Sequence, residues 1–462
     1  MNVFLKIELS AGSGIGIYRA NRPSGVTLAV PLAAQPPWAL GHLPQTMKSA
    51  ILSIGTELTR GELVNGNAAW LSERLTQAGF TVTEHLVVDD DEARIIDALA
   101  RLGASVSVVV CTGGLGPTTD DLTTETVARY LGVPMRRDAA SLAAIEARFA
   151  RFGRVMSPSN AKQADFPEAA TVLPNPVGTA PGFSVNLAKT STSHECRAFF
   201  LPGVPREMQH LFQEEVLPRI ADLATHTSHQ IRFRTFGLPE SVVGEKLAGV
   251  EAAFPGVILG YRAHFPEIEV KVLATATDAE AAATLADQAA AVVAERLGDV
   301  IYTRGTSSIG RVVVDALTAR KKTLALAESC TGGLASSLIT RERGASAAFL
   351  FGAVTYANEA KQAVLGVPAA TIAAHGAVSP ETAAAMAEGA RKVSGADYAV
   401  AITGVAGPDG GSDEKPVGTV HFAIASAEGT RTEHRLFRWP NRDMIQTIAA
   451  YTALDFIRRA VL

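Results

Sequence analysis

The stretch LALAESCTGGLASSLITRERGASAAFLFGAVTYANEAK (Leu324–Lys361) decides how this chain is read. LALAE is a short apolar run of the kind that forms a buried strand. Cys330-Thr331-Gly332-Gly333 is a tight turn with two glycines, and LASSLIT begins a helix. A strand that breaks at glycine into a helix leaves backbone N–H groups directed outward. The helix dipole adds partial positive charge there, so the spacing predicts an anion site at this corner. Ser329 and Thr331 bring hydroxyls to it. FLFGAVTY is a second strand-like run, and it passes directly into NEAKQAVLGV, which has helical spacing. Lys361 falls in the first turns of that helix, at the strand ends where α/β sheets bind ligands.

The surrounding composition agrees with an α/β reading. The chain has 462 residues, 47% apolar and 19% charged, with 40 glycines. At roughly 150 residues per domain that length suggests about three domains. No apolar run approaches the ~18 residues of a membrane helix. The net charge is −4 and no sustained Lys/Arg block occurs, which argues against a nucleic-acid-binding face. Cys111, Cys196 and Cys330 are far apart and odd in number. They make neither a metal pattern nor a disulfide framework, as expected for a reducing cytoplasm.

Residues 1–46 are rich in Gly and Pro without a clean period, and they lack the features of a signal peptide. Met47 then opens KSAILSIG, a strand start. The expectation is that Met47 is the native first residue, or that 1–46 is a poorly ordered or non-native extension.

From 47 to 220 strands and helices alternate, which predicts a parallel, doubly wound sheet. Its strongest signal is the loop Thr112-Gly113-Gly114-Leu115-Gly116-Pro117-Thr118-Thr119-Asp120-Asp121. Glycines admit phosphate oxygens close to the backbone. Paired aspartates just beyond them are hard ligands for a divalent ion such as Mg²⁺. The plain alternative is that Asp120 and Asp121 cap the helix beginning near Leu122. Asp89, Asp90 and Asp91 stand at the end of a neighbouring strand and offer a second acidic group. AKTSTSHECR (Ala188–Arg197) reads as a polar surface hairpin.

Residues 225–303 read as strand, helix, strand, strand and an Ala-rich helix, with VILGYRA and IEVKVLATA as a hairpin. This small α+β domain is expected to act as a spacer between two catalytic units. Arg262 and His264 are read as a solvated strand face. Residues 305–462 hold the opening stretch, a Ser379-Pro380-Glu381 helix start with Ser379 as the cap, and a glycine loop from Thr403 to Gly411. The closing helix has Arg442 at its start. A cation there opposes the helix dipole, which a bound phosphate would offset. No Ser–His–Asp set is defensible, and His375 and His421 are turn and strand residues. A lysine can serve a serine as base where burial or positive charge lowers its pKa.

These motifs carry a resemblance. SIGTEL (Ser53–Leu58), Gly66-Asn67, the strand-end aspartates, TGGLGPTTDDLT (Thr112–Thr123), Asn160–Phe183 and Leu201–Met208 resemble the first domain of the CinA family, which is similar to molybdopterin-binding folds. Leu324–Thr340, Phe349–Val367, Ala373–Thr382, Ala401–Gly411 and Glu414–Ala423 resemble its C-terminal domain nearly end to end. The resemblance covers Met47 to Leu462. It implies two doubly wound α/β catalytic domains joined by a small α+β domain, in a cytoplasmic homodimer.

For the first domain it implies a pyrophosphatase that cleaves ADP-ribose with a divalent metal (Mg, Mn or Co). Asp121, Asp120, Asp90 and Glu57 match the acidic positions, and Gly113, Gly114, Gly116 and Thr118 the phosphate loop. Where the family usually has Gly-Asp this chain has Asp89-Asp90, which leaves the choice among Asp89, Asp90 and Asp91 open. For the last domain the resemblance implies a nicotinamide mononucleotide deamidase that needs no cofactor. Ser346 matches the nucleophile, as the single serine where the family has Gly-Ser-Ser. Lys361 matches the general base, assisted by Tyr356. Ser329, Thr331, Gly332, Gly333, Thr403, Gly404 and Arg442 surround the nucleotide. Rival expectations are a molybdopterin-binding protein and a non-enzymatic competence or DNA-repair partner that engages a recombination protein without touching DNA.

Overall fold

The computed structural model describes residues 47–187 and 195–462. The expectation for 1–46, and residues 188–194 of the expected hairpin, lie outside the described residues. The chain divides into two compact units, the second made of His226–Leu462 together with the short segment Thr76–Gly79.

The first unit is built on a six-stranded sheet. Its elements are β1 (Lys48–Ile54), α1 (Gly66–Gln77), β2 (Thr81–Val88), α2 (Glu92–Ser105), β3 (Val108–Thr112), α3 (Thr123–Leu131), α4 (Ala139–Arg151), β4 (Thr171–Leu173), β5 (Gly182–Asn186), β6 (Arg197–Leu201) and α5 (Pro205–Leu211). The strand order is β2-β1-β3-β6-β5-β4. The sheet is parallel from β2 to β6, and β5 and β4 add antiparallel. The parallel sheet expected here holds over β2, β1, β3 and β6, and its far edge departs from it. No helix separates β4, β5 and β6 in sequence, and parallel neighbours need a crossover. β3 is buried along its whole length because helices cover both of its faces. Phe183 of β5 stacks on Phe200 of β6 with ring centroids 4.6 Å apart, which ties the antiparallel edge to the core.

The second unit opens with a four-stranded antiparallel sheet. Its elements are β7 (Thr227–Phe236), α6 (Glu240–Lys246), α7 (Val250–Ala253), β8 (Val257–His264), β9 (Glu267–Ala276), α8 (Ala279–Leu297) and β10 (Ile301–Arg304). The order is β8-β9-β7-β10, and β8–β9 is the hairpin read from the sequence. Alanines of α8 pack against this sheet at positions where larger residues would hold the helix away.

A five-stranded sheet follows in the same unit: α9 (Ile309–Ala319), β11 (Leu324–Glu328), α10 (Leu334–Thr340), β12 (Phe349–Val354), α11 (Asn358–Leu365), α12 (Ala369–His375), α13 (Pro380–Ser394), β13 (Tyr398–Gly404), β14 (Thr419–Ser426), β15 (Gly429–Leu436) and α14 (Arg442–Val461). The order is β12-β11-β13-β14-β15, with β14 and β15 antiparallel. Leu324 and Leu326 of β11 face one core with α9 and α14, while Ala325 and Ala327 face another with α13. This alternation makes the domain doubly wound, and it fixes which residues at the end of β11 point to which side.

The small domain packs against the last domain. Phe236 lies 5.8 Å from Tyr451 and Phe265 4.7 Å from Trp439, ring to ring. Arg458 donates to the Asp299 carbonyl at 2.8 Å.

Candidate functional site

β11 is fully buried, and it delivers Glu328 and Ser329 to opposite faces of the sheet at its C-terminal end. Gly332 and Gly333 follow at φ 62° and 96°, the left-handed region that lets the chain turn sharply into α10. Glu328 is 0% exposed. Its carboxylate accepts the amides of Gly333 (3.1 Å), Ala335 (3.0 Å) and Ser336 (2.8 Å) and the Ser336 hydroxyl (2.6 Å). The expected open anion site at this corner is corrected by these contacts. The chain supplies its own anion to the orphan donors of α10 and to the positive end of its dipole. Glu328 was missed because a glutamate ending an apolar run reads as a strand terminus; its position before a glycine turn and helix was the available signal.

On the other face, Lys361 of α11 is 1% exposed. Its Nζ lies 3.2 Å from Ser329 Oγ, 2.8 Å from the Thr355 carbonyl oxygen and 3.2 Å from that of Tyr356. Burial pulls its pKa below the ordinary lysine value. A neutral amine has two N–H groups and one lone pair. With the two carbonyls accepting the N–H groups, the lone pair is left for the Ser329 hydroxyl. Cys330, next to that serine, is a poor nucleophile: burial pushes its thiol up to about 12.

Ser346 is not brought to Lys361. It is exposed, in the turn Ala345–Ala347 that precedes β12, whereas Lys361 follows the other end of that strand. A six-residue strand spans about 20 Å. Among the described residues the lysine's serine partner is Ser329, so the expected Ser346–Lys361 dyad is corrected to Ser329–Lys361.

The other expected nucleotide contacts separate into two kinds. Tyr356 is 60% exposed. Its hydroxyl accepts from Arg442 Nη2 at 2.8 Å, while Arg442 Nη1 donates to the Gly407 carbonyl at 2.7 Å. The Thr331 and Thr355 hydroxyls are buried without a partner among the described residues, so both retain hydrogen-bonding capacity at the corner. Thr403 instead donates to the Ala377 carbonyl at 2.7 Å. A Cβ on Gly404 would fall 2.6 Å from the Thr419 carbonyl oxygen, so strand packing accounts for that glycine. Ser379 caps α13 as expected, accepting from Thr382 N at 3.1 Å.

In the first unit a cavity of about 390 Å³ gathers Glu57, Asp90, Asp120, Asp121, Glu207 and the loop glycines. Gly113 and Gly114 have φ of 102° and 67°, and a Cβ on Gly113 would fall 2.0 Å from the Ile54 carbonyl oxygen. The structure separates the three strand-end aspartates. Asp91 caps α2 through Arg94 N at 3.0 Å, and Asp89 pairs with Arg94 at 3.4 Å. Asp90 alone of the three lines the cavity, with one oxygen accepting Thr56 N and Oγ1, both at 2.8 Å.

Asp121 accepts Thr118 N at 2.9 Å and the Thr118 hydroxyl. α3 begins after Leu122 without a side-chain cap, so the capping alternative for the aspartate pair is not what the fold uses. A hydrogen bond from Thr118 holds the Asp120 carboxyl below the ordinary value. Glu207, which the sequence reading passed over, is held by Asn175 Nδ2 at 2.6 Å.

Among the described residues no three His, Cys, Asp or Glu side chains converge closely enough to hold a metal by themselves. The donor set fits an ion shared with substrate oxygens, because Mg²⁺ is commonly held by one or two carboxylates and completed by phosphate.

Three family models match the chain: a CinA C-terminal domain at residues 306–461, a probable molybdopterin binding domain at 50–222, and a damage-inducible protein CinA KH domain at 230–303. A CinA-like protein of Geobacter sulfurreducens is 45% identical over 418 residues, 90% of this chain and 100% of its own length. A CinA-like protein of Anaeromyxobacter sp. is 44% identical over 413 residues, 89% of this chain and 98% of its own. The crystal structure of competence/damage inducible protein CihA from Agrobacterium tumefaciens is 42% identical, covering 33% of this chain and 93% of that one with a TM-score of 0.32.

Proposed function

The chain belongs to the CinA family, and from that premise we propose a bifunctional hydrolase of pyridine-nucleotide metabolites. The last domain deamidates nicotinamide mononucleotide to nicotinic acid mononucleotide and ammonia. The observation that carries this reading is the buried lysine amine 3.2 Å from Ser329 Oγ.

Neutral Lys361 takes the Ser329 proton as Oγ attacks the carboxamide carbon. The backbone amides of the turn that follows Ser329 are the donors offered to the oxyanion. Lysine returns the proton to the departing ammonia and leaves an acyl-Ser329 ester. Water, deprotonated by the same amine, then releases the acid. Arg442, Tyr356, Thr331 and Thr355 are the groups available to the nucleotide. Ser346 has no part in proton transfer.

The first domain cleaves ADP-ribose to AMP and ribose 5-phosphate. A divalent metal, when bound, supplies charge neutralisation at the pyrophosphate. Asp90 and Asp121 would hold it, and Glu57, Asp120 and Glu207 line the same cavity. The glycine loop holds the phosphate oxygens. A second reading, pterin binding without cleavage, draws on the description of the family model at residues 50–222.

Direct contact with nucleic acid is not part of the proposal. Between α6 and α7 the small domain has Leu247-Ala248-Gly249, without the Gly-x-x-Gly with which KH domains clamp a nucleic-acid backbone. The test is a product assay on nicotinamide mononucleotide and ADP-ribose, each with and without chelator. Chelator-resistant ammonia release and chelator-sensitive AMP release are expected. Absence of both products overturns the reading, and pterin binding without AMP release selects the second one.

A further inference from the structure

The second unit holds a cavity of about 750 Å³ where the small domain meets the last one. One side comes from the end of β7 and the turn between β8 and β9, the other from β15, the segment after it and α14. That volume is on the scale of a small-molecule site, and sites of this kind often lie where domains meet. Aromatic rings dominate the wall. Trp439 meets Phe265 edge to face with centroids 4.7 Å apart, and Phe236, Phe437 and Phe456 line the same space. Trp439 is 40% exposed, so one large flat side chain is left uncovered by the fold itself.

Two buried carboxylates belong to the lining, and they differ. Asp455 has hydrogen bonds on both oxygens, from Arg458 Nε and Arg459 Nε, each at 2.7 Å. Glu267 opens β9 and is 5% exposed. One of its oxygens accepts the Tyr302 hydroxyl. The other has Arg234 Nη1 at 3.6 Å, too far for a hydrogen bond. Burial raises the Glu267 carboxyl above its ordinary value, against the lowering effect of Tyr302, Arg234 and His264. A carboxylate can accept about four hydrogen bonds, so this one retains capacity beside an aromatic wall.

We propose that this cavity binds an uncharged, planar heteroaromatic ring bearing an exocyclic amine, such as the adenine of a nucleoside. The ring supplies flat faces for Trp439 and Phe265. The amine supplies an N–H for the open oxygen of Glu267. An anion would meet the Glu267 carboxylate itself. A cation would meet Arg234, which already stands beside the same oxygen. A neutral N–H donor meets neither repulsion, and it gives the buried carboxylate a partner it lacks. The site is separate from the deamidase corner and from the glycine loop, and it needs neither activity to operate.

The experiment irradiates the full chain with 8-azidoadenosine and maps the labelled peptides by mass spectrometry. Label should fall on the peptides that hold Phe265 and Trp439, and adenosine should compete it away. The riboside of 6-dimethylaminopurine keeps the ring and loses both N–H groups. It should compete about tenfold less well, as loss of a hydrogen bond to a charged acceptor predicts. Glu267→Gln leaves a neutral acceptor, so the difference between the two competitors should narrow. In Trp439→Ala the label on the Phe265 peptide should fall about tenfold, as loss of a stacking partner predicts. Circular dichroism of each variant reports that the chain is folded. Label confined to the first unit overturns the proposal, as does equal competition by the two nucleosides. Unchanged labelling in Trp439→Ala together with an unchanged preference in Glu267→Gln overturns it as well.

Discussion

Lys361 Nζ lies 3.2 Å from Ser329 Oγ, at the shared end of two parallel strands and away from solvent. The two residues are remote in sequence and meet because β11 and β12 are adjacent and parallel, so the turn after one strand and the helix after the other fall at the same edge.

The first prediction concerns which serine reacts. Ser329→Ala should lower ammonia release from nicotinamide mononucleotide by about a thousandfold or more, as removal of a nucleophile does, while ADP-ribose cleavage persists. Ser346→Ala should retain deamidase activity. Loss of activity in Ser346→Ala with retention in Ser329→Ala would restore the dyad first expected from the sequence.

The pH profile follows from the state of the base. Burial favours the neutral amine, so Lys361 loses its proton below the ordinary lysine pKa. Deamidation should rise with pH through that depressed value and then level off. Stability moves in the same direction: between the depressed folded value and the unfolded one the unfolded chain binds the extra proton, so folding is favoured as pH rises across that window. Steady-state rates and denaturant midpoints over the alkaline range measure both. A rate limb that stays at the unperturbed lysine value would remove Lys361 from the base role.

Glu328 is predicted to hold the reactive turn in place. Glu328→Gln sets an amide N–H₂ against donors that now face a carboxylate, and should cost about 2 kcal/mol or more. The deamidase kcat should fall with it, and ADP-ribose cleavage should not. An unchanged denaturation midpoint would show that these hydrogen bonds contribute little.

Cys330 should be chemically silent. Its thiol is 4% exposed and pushed up to about 12. Iodoacetamide at neutral pH should leave it unmodified in the folded chain, by peptide mass mapping, and Cys330→Ala should keep deamidase activity. Rapid alkylation with loss of activity would contradict this.

In the first domain, Asp121→Asn should reduce ADP-ribose cleavage by about a hundredfold. It should also shift the activating metal concentration upward and leave ammonia release intact. Metal titration of both activities on one preparation decides it, since an unaltered metal dependence would take Asp121 out of the ligand set.

The sequence by itself determined the strand–glycine–helix corners, the domain order, the cap at Ser379 and the presence of Lys361 at a ligand-binding sheet edge. Those properties arise from short-range periodicity and turn chemistry, which a linear pattern records directly. Tertiary structure decided which partner each polar group found. It gave Lys361 to Ser329, turned Glu328 into the anion of its own helix, picked Asp90 from three adjacent aspartates, and added Glu207 to their pocket. Strand adjacency and the alternation of side chains across a sheet bring distant residues within hydrogen-bond range, and neither is written in local spacing.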